Sequence, residues 1–566
     1  MPNAWDKYYS DAAKNFEPSQ IQSLTLPQMI DEAARSYADR PALTTILPTG
    51  ADTTVTYGEL DTLSSDFASY LREVLGLAAG DTVALMTPNC IGFGVASLGI
   101  AKAGCISTNV NPLYTAHELE HQLTDSNAVA LVIIDLFGDK VDQVIAKTGV
   151  KHVVTLSLVD FFPTVKKALL GFVLKRVRKV IPTMATPHTR MAHALAMGRK
   201  ARSGGDVSAY TAHVKPSDTA LFQYTSGTTG RSKGAELSHE GVLINAHQAY
   251  LMTEANMSEA GETTLIALPL YHITAYALIF VAGMRTGGHG VLVPSPRPPS
   301  NLKSAFEKYH ITWFTGINTL FAAMMVEPWF DKKMFENFRF CGSGGAAQQA
   351  GVAAKWQDMT GIRINQGYGM TEISGVLTLN PPADNRFGKV GIPVPGAEIR
   401  IVDDAGHDVP LGQPGEVIAR SPALMKGYLN RADATAETIR DGWLYSGDIG
   451  VMDEDGFLEI VDRKKDMILV SGFNVSPNEI EDVISTVPGV VQVGVIGIPD
   501  EKSAEVPAAF VVRKDDSVSE DDILAACKEN LTNYKIPKQV TFVDEVPVTL
   551  SGKVLRRQLR EDYLTS

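Results

Sequence analysis

Apolar and polar residues follow two different periods along this chain, and the two periods alternate. Continuous apolar runs of strand length recur through the first half, at 82–86, 129–134, 152–156 and 220–224. Elsewhere the apolar residues return at helical spacing, as they do after Tyr57 at Leu60, Leu63, Phe67 and Leu71. Apolar strands separated by amphipathic helices are typical of parallel sheets that are covered on both faces. The pattern therefore predicts an α/β fold with parallel-rich sheets.

The pattern changes near residue 386. From about 386 to 448, short alternating strands are separated by glycine and proline turns such as Val394-Pro395-Gly396, which predicts a small β-barrel. Helices and short strands after residue 463 predict a compact α+β unit. A chain of 566 residues is long enough for several cores. We expect a large N-terminal domain over 1–462, which contains the α/β subdomains and the barrel, and a small mobile C-terminal domain over 463–566.

One predicted helix, at 165–181, has an unusual composition. Its apolar stripe consists of Val165, Ala168, Leu169, Phe172, Val173, Val177 and Val180. Between them lie six basic residues and no acidic residue: Lys166, Lys167, Lys175, Arg176, Arg178 and Lys179. A basic amphipathic helix is typical of contact with an anionic membrane, and a surface helix docked on the same protein fits the pattern equally well. We expect a mobile connection at 186–205, which leads back to the next strand.

Charge and cysteine usage narrow the function classes. The chain has 51 Lys and Arg residues against 64 Asp and Glu residues, so its net charge of −13 argues against general nucleic-acid binding. The four cysteines show neither metal-ligand spacing nor a disulfide framework: Cys90, Cys105, Cys341 and Cys527. The sequence shows no secretory signal pattern and no apolar run of the ~18 residues that span a membrane. We expect a cytoplasmic protein, lying on the cytoplasmic face of the membrane if helix 165–181 binds there.

A run of small and hydroxylated residues follows the apolar run at 220–224. Its members are Thr225, Ser226, Gly227, Thr228, Thr229 and Gly230, with Lys233 three positions later. Glycines let backbone N–H groups face an anion, hydroxyls add donors, and the lysine supplies a charge. This composition is also typical of a flexible surface loop, but the preceding strand and the lysine favour phosphate binding. The spacing is not that of a Walker A loop, in which the lysine directly follows a glycine.

Two further glycine-rich stretches, 342–347 and 367–369, follow predicted strands. Loops at the carboxyl ends of parallel strands are where open α/β sheets bind ligands. Near these ends Glu372 is placed either to bind Mg²⁺ or to cap a helix, and Asp448 either to accept ribose hydroxyls or to close a turn. Lys553, taken alone, is typical of a solvated lysine. Each of these three residues, taken singly, is more often structural than functional.

Taken together, the motifs resemble those of the adenylate-forming superfamily of acyl-CoA synthetases, adenylation domains and luciferases. Within it the chain is most similar to bacterial long-chain fatty-acid–CoA ligases, from about Leu26 to Arg557. Eight motifs occur in family order: Asn109-Val-Asn-Pro-Leu-Tyr-Thr, the loop 225–233, Pro269-Leu-Tyr-His-Ile, Gly367-Tyr-Gly-Met-Thr-Glu, Tyr445-Ser-Gly-Asp, Asp462-Arg-Lys-Lys-Asp-Met-Ile, Ser471-Gly-Phe-Asn and Gly552-Lys-Val-Leu-Arg-Arg. One departure is Arg231-Ser232, because many members carry a proline before the loop lysine.

The resemblance implies an ATP site. The loop 225–233 would bind the β- and γ-phosphates, and Glu372 with the Thr225 hydroxyl would bind Mg²⁺. Lys553 would neutralise the charge that develops between the carboxylate and the α-phosphate, so the implied catalytic residues are Lys553, Glu372 and Thr225. The adenine would be lined by Gly344, Gly345 and Ala346 and stacked on Tyr368, the ribose hydroxyls would meet Asp448 and Arg463, and Gly367, Gly369 and Thr371 complete the implied ATP-binding set.

The resemblance also implies a domain rotation. Lys465 would be the hinge about which the C-terminal domain turns after adenylation, withdrawing Lys553. Gly472 would then line the tunnel through which the pantetheine arm of CoA enters. ATP, Mg²⁺ and CoA are thus the implied cofactors and co-substrates.

The implied function is a long-chain fatty acid–CoA ligase, which forms acyl-AMP and pyrophosphate and then acyl-CoA and AMP. Gly369 stands where acetate-activating relatives carry a tryptophan, so it leaves room for a long chain. His272 resembles the family's pocket gate, and a core histidine fits it as well. A CoA ligase for medium-chain or aryl acids is the alternative. A non-catalytic acyl- or nucleotide-binding protein and a luciferase-like oxidase are further alternatives, and the oligomeric state is open, a homodimer included.

Overall fold

The computed structural model describes residues 3–21, 23–203, 205–225, 232–470, 473–500, 503–549 and 553–565. These residues form four sheets, two of them large and parallel-rich, with helices on their faces. The predicted α/β class is confirmed. In the described ranges no helix is long and apolar enough to cross a membrane.

The large sheet has nine strands, and its five central pairings are parallel. Antiparallel strands complete both edges. In spatial order the strands are Ile392–Pro393, Gly375–Leu379, Asn365–Met370, Phe340–Ser343, Trp313–Gly316, Thr263–Ile266, His289–Leu292, Pro41–Ile46 and Asp52–Thr56. Its parallel strands end on one side, where the glycine-rich stretches after Ser343 and Gln366 lie.

The second sheet has eight strands, and five of its pairings are parallel. Their order is Gly427–Tyr428, Lys233–Ser238, Thr219–Thr225, Ile106–Asn109, Thr82–Met86, Ala128–Ile134, His152–Leu156 and Thr189–Arg190. The strands Thr219–Thr225 and Lys233–Ser238 form an antiparallel hairpin around the phosphate loop.

The segment predicted as a small β-barrel forms a third sheet of five antiparallel strands. They are Glu398–Val402, Gly415–Arg420, Trp443–Met452, Ile439–Arg440 and Leu458–Arg463. The short strands are confirmed, but their pairings do not close into a ring within the described residues. Gly415–Arg420 lies between Glu398–Val402 and Trp443–Met452, and Glu398–Val402 has no second partner strand among the described residues, so the sheet is open there.

The fourth sheet belongs to the predicted C-terminal unit. Its strands are Phe473–Val475, Ile468–Val470, Ala504–Arg513, Val490–Asp500 and Gln539–Phe542. A separate hydrophobic cluster lies beneath it, formed by residues between Ile468 and Cys527. A unit with its own sheet and core fits the expected C-terminal domain, although the boundary at 462/463 stays a prediction.

Helices cover the sheets or connect them. The α-helices are Asp11–Lys14, Leu26–Tyr37, Tyr57–Ser69, Ile91–Lys102, Ala116–Asp125, Gly138–Val144, Thr164–Phe172, Met191–Arg202, His239–Thr253, Ile273–Ala275, Ala282–Arg285, Lys303–Lys308, Asn318–Met324, Ala350–Thr360, Ala432–Thr438, Pro477–Ser485, Glu520–Asn530 and Arg556–Thr565. Segments with π-helical hydrogen bonding extend three of them, at Tyr70–Val74, Val173–Val177 and Tyr276–Val281. Ile273 to Arg285 is therefore one continuous helix.

Local sequence accounts for the start of the helix Tyr57–Ser69. Thr56 accepts a hydrogen bond from the Glu59 N–H, and the Glu59 side chain accepts one from the Thr56 N–H. This helix packs closely on Ile91–Lys102, where a Cβ added at Gly99 would lie 2.9 Å from the Ser64 carbonyl oxygen. The small residues of the second helix are thus required by the close approach of the two helices.

The predicted connection at 186–205 is wrong in one respect, because residues Met191–Arg202 form a helix. Its guanidinium groups reach a fully buried carboxylate: Arg202 Nε lies 2.7 Å and Arg199 Nη2 2.8 Å from Asp66. A Cβ added at Gly198 would lie 1.8 Å from the Asp66 carbonyl oxygen. The ion pairs with the buried Asp66 fix this segment in place. No local sequence pattern predicts them.

The basic helix is Thr164–Phe172 with its π-helical extension Val173–Val177, and it ends four residues before the predicted end. The apolar stripe is not the part of the helix that packs on the protein, because Val165 is 82% exposed and Leu169 64%. Two leucines outside that stripe, Leu170 and Leu174, pack instead on the small cluster of Leu47, Val159 and Phe162. The helix therefore docks by one edge and leaves its basic and apolar side toward solvent.

Candidate active site

The two strands that flank the predicted phosphate loop form a hairpin. Thr225 and Lys233 are paired across the hairpin, so their backbones lie side by side. The Lys233 ammonium lies 4.9 Å from the centre of the Tyr428 ring. Five predicted phosphate contacts lie outside the described residues: Ser226, Gly227, Thr228, Thr229 and Gly230.

Tyr428 connects the loop to Glu372. Its strand pairs antiparallel with the hairpin, Tyr428 opposite Ala235. Its hydroxyl donates a hydrogen bond of 2.6 Å to Glu372 Oε1. Burial and the negative charge of Glu372 raise the pKa of the Tyr428 hydroxyl, so it stays a donor. The sequence analysis missed this residue, because only the pairing of two strands far apart in sequence brings it to the site.

The short turn Thr371–Ile373, which carries Glu372, follows directly after the strand Asn365–Met370. The Glu372 carbonyl accepts a hydrogen bond of 2.8 Å from the Met425 N–H, which fixes the turn against the segment before Tyr428. Thr371 begins the turn, so its position follows from that of its neighbour. The predicted residues 367–372 therefore lie next to one another, in the last part of this strand and the first part of the turn.

Asp448 is held from two sides. The Tyr368 hydroxyl donates a hydrogen bond of 2.6 Å to Asp448 Oδ2, and Arg463 Nε lies 3.5 Å from Asp448 Oδ1. Asp448 and Arg463 are also direct partners across two antiparallel strands. Burial and the Asp448 charge raise the pKa of Tyr368 well above its ordinary range. These three predicted ligands of the adenosine moiety are brought together.

The second and third glycine-rich stretches lie next to each other. A Cβ added at Gly344 would lie 3.4 Å from the Gly367 carbonyl oxygen, so the two backbones almost touch. Gly345 has φ +83°, a conformation that favours glycine. Ala346 follows at once and is half-buried. This glycine-lined floor leaves space for a flat ring beside Tyr368.

Lys553 enters this site from the C-terminal end of the chain. Burial, together with the nearby Arg463 charge, lowers the pKa of its ammonium from 10.5 to about 8. The charges of Asp448, Glu372 and Asp466 act in the opposite direction. The charges of all four residues act on the Lys553 ammonium, so this lysine lies near the predicted nucleotide ligands and not in bulk solvent.

His272 lies close to Lys553. Burial and the Lys553 charge lower the pKa of its imidazole to about 4, so the ring is neutral at pH 7. Its Nδ1 accepts a hydrogen bond of 3.3 Å from the Thr274 N–H, at the start of the helix Ile273–Ala275. Thr274 lines the cavity described next, so His272 lies two residues from its wall.

A long apolar cavity of about 1030 Å³, counting its open mouth, runs from this site along the large sheet. The sheet forms one wall, and the helices His239–Thr253 and Ile273–Arg285 form the other. On one strand its lining extends from Phe340 to Gly344, four residue steps or about 13 Å. The wall includes the stacked rings of Trp313 and Phe340, whose centroids are 4.3 Å apart. We call this space the long cavity.

Gly369 lines the long cavity, but the backbone, and not only the substrate, requires glycine there. A Cβ added at this position would lie 1.9 Å from the Gly375 carbonyl oxygen and 2.7 Å from Val376 Cα. The pairing of its strand with Gly375–Leu379 is irregular between Tyr368 and Gly369, which brings the two backbones together. Room for a long chain is thus only part of the reason for this glycine.

The predicted hinge, Lys465, lies in the turn between the third and fourth sheets. On its N-terminal side Lys464 Nζ lies 2.7 Å from Asp404 and 3.1 Å from Glu416. The C-terminal side is anchored by Ser476 and Asn478, whose hydroxyl and N–H donate hydrogen bonds to Asp462 Oδ2. The turn is exposed between two anchored ends. Gly472, predicted to line a CoA tunnel, lies outside the described residues.

The site offers hard oxygen donors that fit Mg²⁺. Glu372 supplies a carboxylate, and Thr225, at the strand end, supplies a hydroxyl. Mg²⁺ is commonly bound by one or two carboxylates together with substrate phosphates, which this set would complete. The hydrogen bond from Tyr428 orients the carboxylate, as outer-shell partners of metal ligands do.

Comparison with known proteins identifies the family. The protein-family model described as AMP-binding enzyme matches residues 30–429 of this chain. A second family model, described as AMP-binding enzyme C-terminal domain, matches residues 479–553. This chain belongs to the AMP-binding enzyme family. A long-chain-fatty-acid–CoA ligase of Escherichia coli O6:H1 is 41% identical over 564 residues, which cover 99% of this chain and 98% of that protein. One of Haemophilus influenzae is 39% identical over 573 residues, covering 100% and 99%.

Solved structures agree with this assignment. An anthranilate CoA ligase in complex with anthranoyl-AMP superimposes with a TM-score of 0.85 at 25% identity, covering 97% of this chain and 99% of that one. ATP-bound MatB from Rhodopseudomonas palustris gives a TM-score of 0.80 at 29% identity, covering 95% and 99%. The family resemblance seen in the eight motifs is confirmed.

Proposed function

We propose that this member of the AMP-binding enzyme family is an AMP-forming long-chain fatty acid–CoA ligase. The observation that carries the proposal is one cluster of Lys553, Glu372 and Asp448 beside Tyr368, a residue that lines the long apolar cavity. An apolar cavity beside a nucleotide site suits a substrate with a carboxylate head and an alkyl tail. The 39–41% identical ligases that span the whole chain support the same function.

In the first step a carboxylate oxygen of the acid attacks the α-phosphorus of ATP. The bond from that phosphorus to the bridging oxygen breaks, and pyrophosphate leaves with the electron pair. The Lys553 ammonium stabilises the charge that grows between the carboxylate and the α-phosphate. Asp448 and Arg463 hold the ribose hydroxyls, and Tyr368 stacks on the adenine. Mg²⁺, when held by Glu372 and Thr225, supplies neutralising charge for the phosphates.

In the second step the thiolate of CoA attacks the acyl carbonyl carbon. The bond to the phosphate oxygen breaks, which gives the thioester and AMP. Lys553 is not needed here, and we propose that a rotation of residues 463–566 about Lys465 removes it. The same rotation would bring Gly472 to the pantetheine path, where a Cβ would obstruct passage. The exposed turn between two anchored ends supports a pivot at this point.

A panel of acids tests the function. Palmitate, octanoate and cinnamate are compared, each with release of pyrophosphate and of AMP measured separately. We expect the highest kcat/KM with palmitate, because the long cavity removes the most alkyl surface from water. A feruloyl-CoA synthase of an Amycolatopsis species, 32% identical over 521 residues, keeps the aryl alternative open. A preference for cinnamate would establish that alternative and overturn the long-chain assignment.

The basic helix supports a second proposal, contact with an anionic membrane. Lys175, Arg176 and Arg178 are exposed, as are the apolar Phe172, 60% exposed, and Val177, 63% exposed. From Phe161 to Gly205 the sequence contains no acidic residue, although the whole chain is acidic. A cationic surface with exposed apolar side chains fits anionic headgroups above an acyl layer. The homodimer stays a prediction.

A further inference from the structure

The wall of the long cavity contains one charged side chain among its described residues, Glu262. It precedes the strand Thr263–Ile266, at the amino end of the large sheet. Lys553 and Glu372 lie at the opposite, carboxyl end. An acyl chain that enters with its carboxylate at the nucleotide therefore points its far end toward Glu262.

The surroundings of Glu262 satisfy only half of its carboxylate. The side chain is 4% exposed. Its Oε1 accepts a hydrogen bond of 2.6 Å from the Ser258 N–H. Its Oε2 is buried and accepts no hydrogen bond from any described residue. Among the described residues the nearest cation is Arg339, whose Nε forms a long ion pair of 3.9 Å with Oε2, beyond hydrogen-bond distance, from a side chain that is 47% exposed.

A half-satisfied carboxylate in an apolar wall is unfavourable unless something completes it. Burial of an ionised group is costly without partners, and the open lone pairs of Oε2 call for a donor. An alkyl side chain would fill this part of the wall equally well, as Leu278, Ile279 and Leu379 do elsewhere in it. Packing therefore does not require a glutamate here. The position thus combines an apolar path with a hydrogen-bond acceptor at its end.

We propose that Glu262 recognises the far end of the acyl chain and that the enzyme takes long-chain acids carrying a terminal hydroxyl. Oε2 has almost no accessible surface in this structure, so the Glu262 side chain would turn toward the cavity when the acid binds. The hydroxyl of an ω-hydroxy acid of matching length would then donate to Oε2 and complete its hydrogen bonding. A methyl end of the same length would leave the carboxylate unsatisfied. Glu262 is thus a specificity-determining residue for the adenylation step, and this inference rests on the proposed function.

The test compares two acid series, from decanoate to octadecanoate, one unsubstituted and one with a terminal hydroxyl. For each length the ratio of kcat/KM for the hydroxy acid over the plain acid is measured by pyrophosphate release. In the wild type we expect this ratio to be low for short chains, whose hydroxyl is buried without an acceptor. It should rise at the length that reaches Glu262, by about tenfold or more over its short-chain value.

Three variants locate the effect. Glu262→Leu removes the acceptor and should abolish the rise. Glu262→Gln keeps the side-chain shape and an oxygen for the Ser258 N–H, and it should reduce the rise because a neutral amide binds a hydroxyl less strongly. Glu259→Leu, an exposed glutamate of the same segment, should leave it unchanged. Thermal melting checks that each variant is folded. If Glu262→Leu does not fold, the result for Glu262→Gln decides the test.

The outcomes separate this inference from the proposed function. If the wild type activates neither series, the proposed function is wrong. If it activates plain acids and the ratio shows no rise with length, the function stands and the inference is wrong. A rise that persists at full height in Glu262→Leu and Glu262→Gln likewise overturns the role of Glu262.

Discussion

Lys553 combines a perturbed pKa with the position that the first half-reaction requires. Its ammonium loses its proton near pH 8 instead of 10.5, so it is charged below that pH and neutral above it. We expect kcat/KM for adenylation, which reports the free enzyme, to fall as the pH rises through about 8. The measurement is the initial rate of pyrophosphate release between pH 6 and 10, with ATP and the acid both well below their KM values.

Two variants at the same position assign that falling limb. Lys553→Arg keeps its charge throughout the range, so the limb should disappear; a limb that survives would assign it to another group. Lys553→Ala should lower adenylation by about a hundredfold or more and still convert supplied acyl-adenylate to the thioester. Equal loss of both half-reactions would contradict the role given to the lysine.

Tyr428 acts through Glu372. Tyr428→Phe removes the hydroxyl that orients the proposed metal-binding carboxylate and keeps the ring beneath Lys233. We expect the Mg²⁺ concentration for half-maximal adenylation to rise about tenfold, since loss of an outer-shell partner weakens metal binding. Mg²⁺ titrations at fixed free ATP measure this. Tyr309→Phe, which loses a comparable hydrogen bond to Asp52 far from the site, is the control.

At this scale the sequence could indicate which residues belong to the site but not how they meet. Asp448, Glu372 and Lys553 were predicted from motifs, and the structure brings them together. Tyr428 and Glu262 were not predicted. The role of Tyr428 depends on Glu372, which only strand pairing brings near it, and the role of Glu262 depends on the cavity that it lines. The reason for Gly369 was only half predicted, since a contact with the Gly375 carbonyl has no local signature.

The basic helix makes a prediction at the scale of one element. Reversal of Lys175, Arg176 and Arg178 to glutamate should weaken binding to anionic vesicles by about a hundredfold or more, because each cation contributes ~1 kcal/mol. Sedimentation with vesicles of phosphatidylglycerol and phosphatidylcholine measures it. Activity on a short soluble acid should not change.

The matched control reverses three exposed lysines elsewhere, Lys332, Lys333 and Lys355. This variant has the same net charge as the helix variant. If both variants lose vesicle binding equally, the effect is one of overall charge, and the helix is an ordinary surface element.

Elements with a strong period were predictable from sequence, and those fixed by distant contacts were not. The helix after Tyr57 carries its own capping box, and its start was predicted to the residue. The helix Met191–Arg202 was missed because its stabilising partner, the buried Asp66, lies more than a hundred positions earlier. The packed edge of the basic helix could not be predicted from its apolar stripe, because Leu170 and Leu174, which lie outside the stripe, make the contacts.

The whole molecule must change shape if Lys553 serves only one half-reaction. Lys465→Pro should restrict the turn between the third and fourth sheets and hold the lysine in the site. Adenylate formation should then stay within about twofold of wild type while thioester formation falls and acyl-adenylate accumulates. Single-turnover assays with quenched product analysis distinguish the two steps. Near wild-type overall turnover would argue against a rotation about this residue.

At the scale of the molecule, the α/β class followed from the alternation of strand and helix periods, and the C-terminal unit was predicted from the helices and short strands after residue 463. The order of strands did not, since neighbours in the large sheet such as Pro41–Ile46 and His289–Leu292 are remote in sequence. Closure of the third sheet was over-predicted for the same reason: a strand pattern indicates strands and leaves their partners open.

Two glycines that line the long cavity differ in whether a larger residue can replace them. Gly369 is locked, because any side chain there collides with the Gly375 backbone, so one substitution cannot shorten the cavity at that point. A Cβ at Gly283, in the opposite wall, meets no described atom within 4 Å. A lineage under selection for shorter acids would therefore change first at the helix Ala282–Arg285. The sheet side would follow only after its strand pairing had been rebuilt.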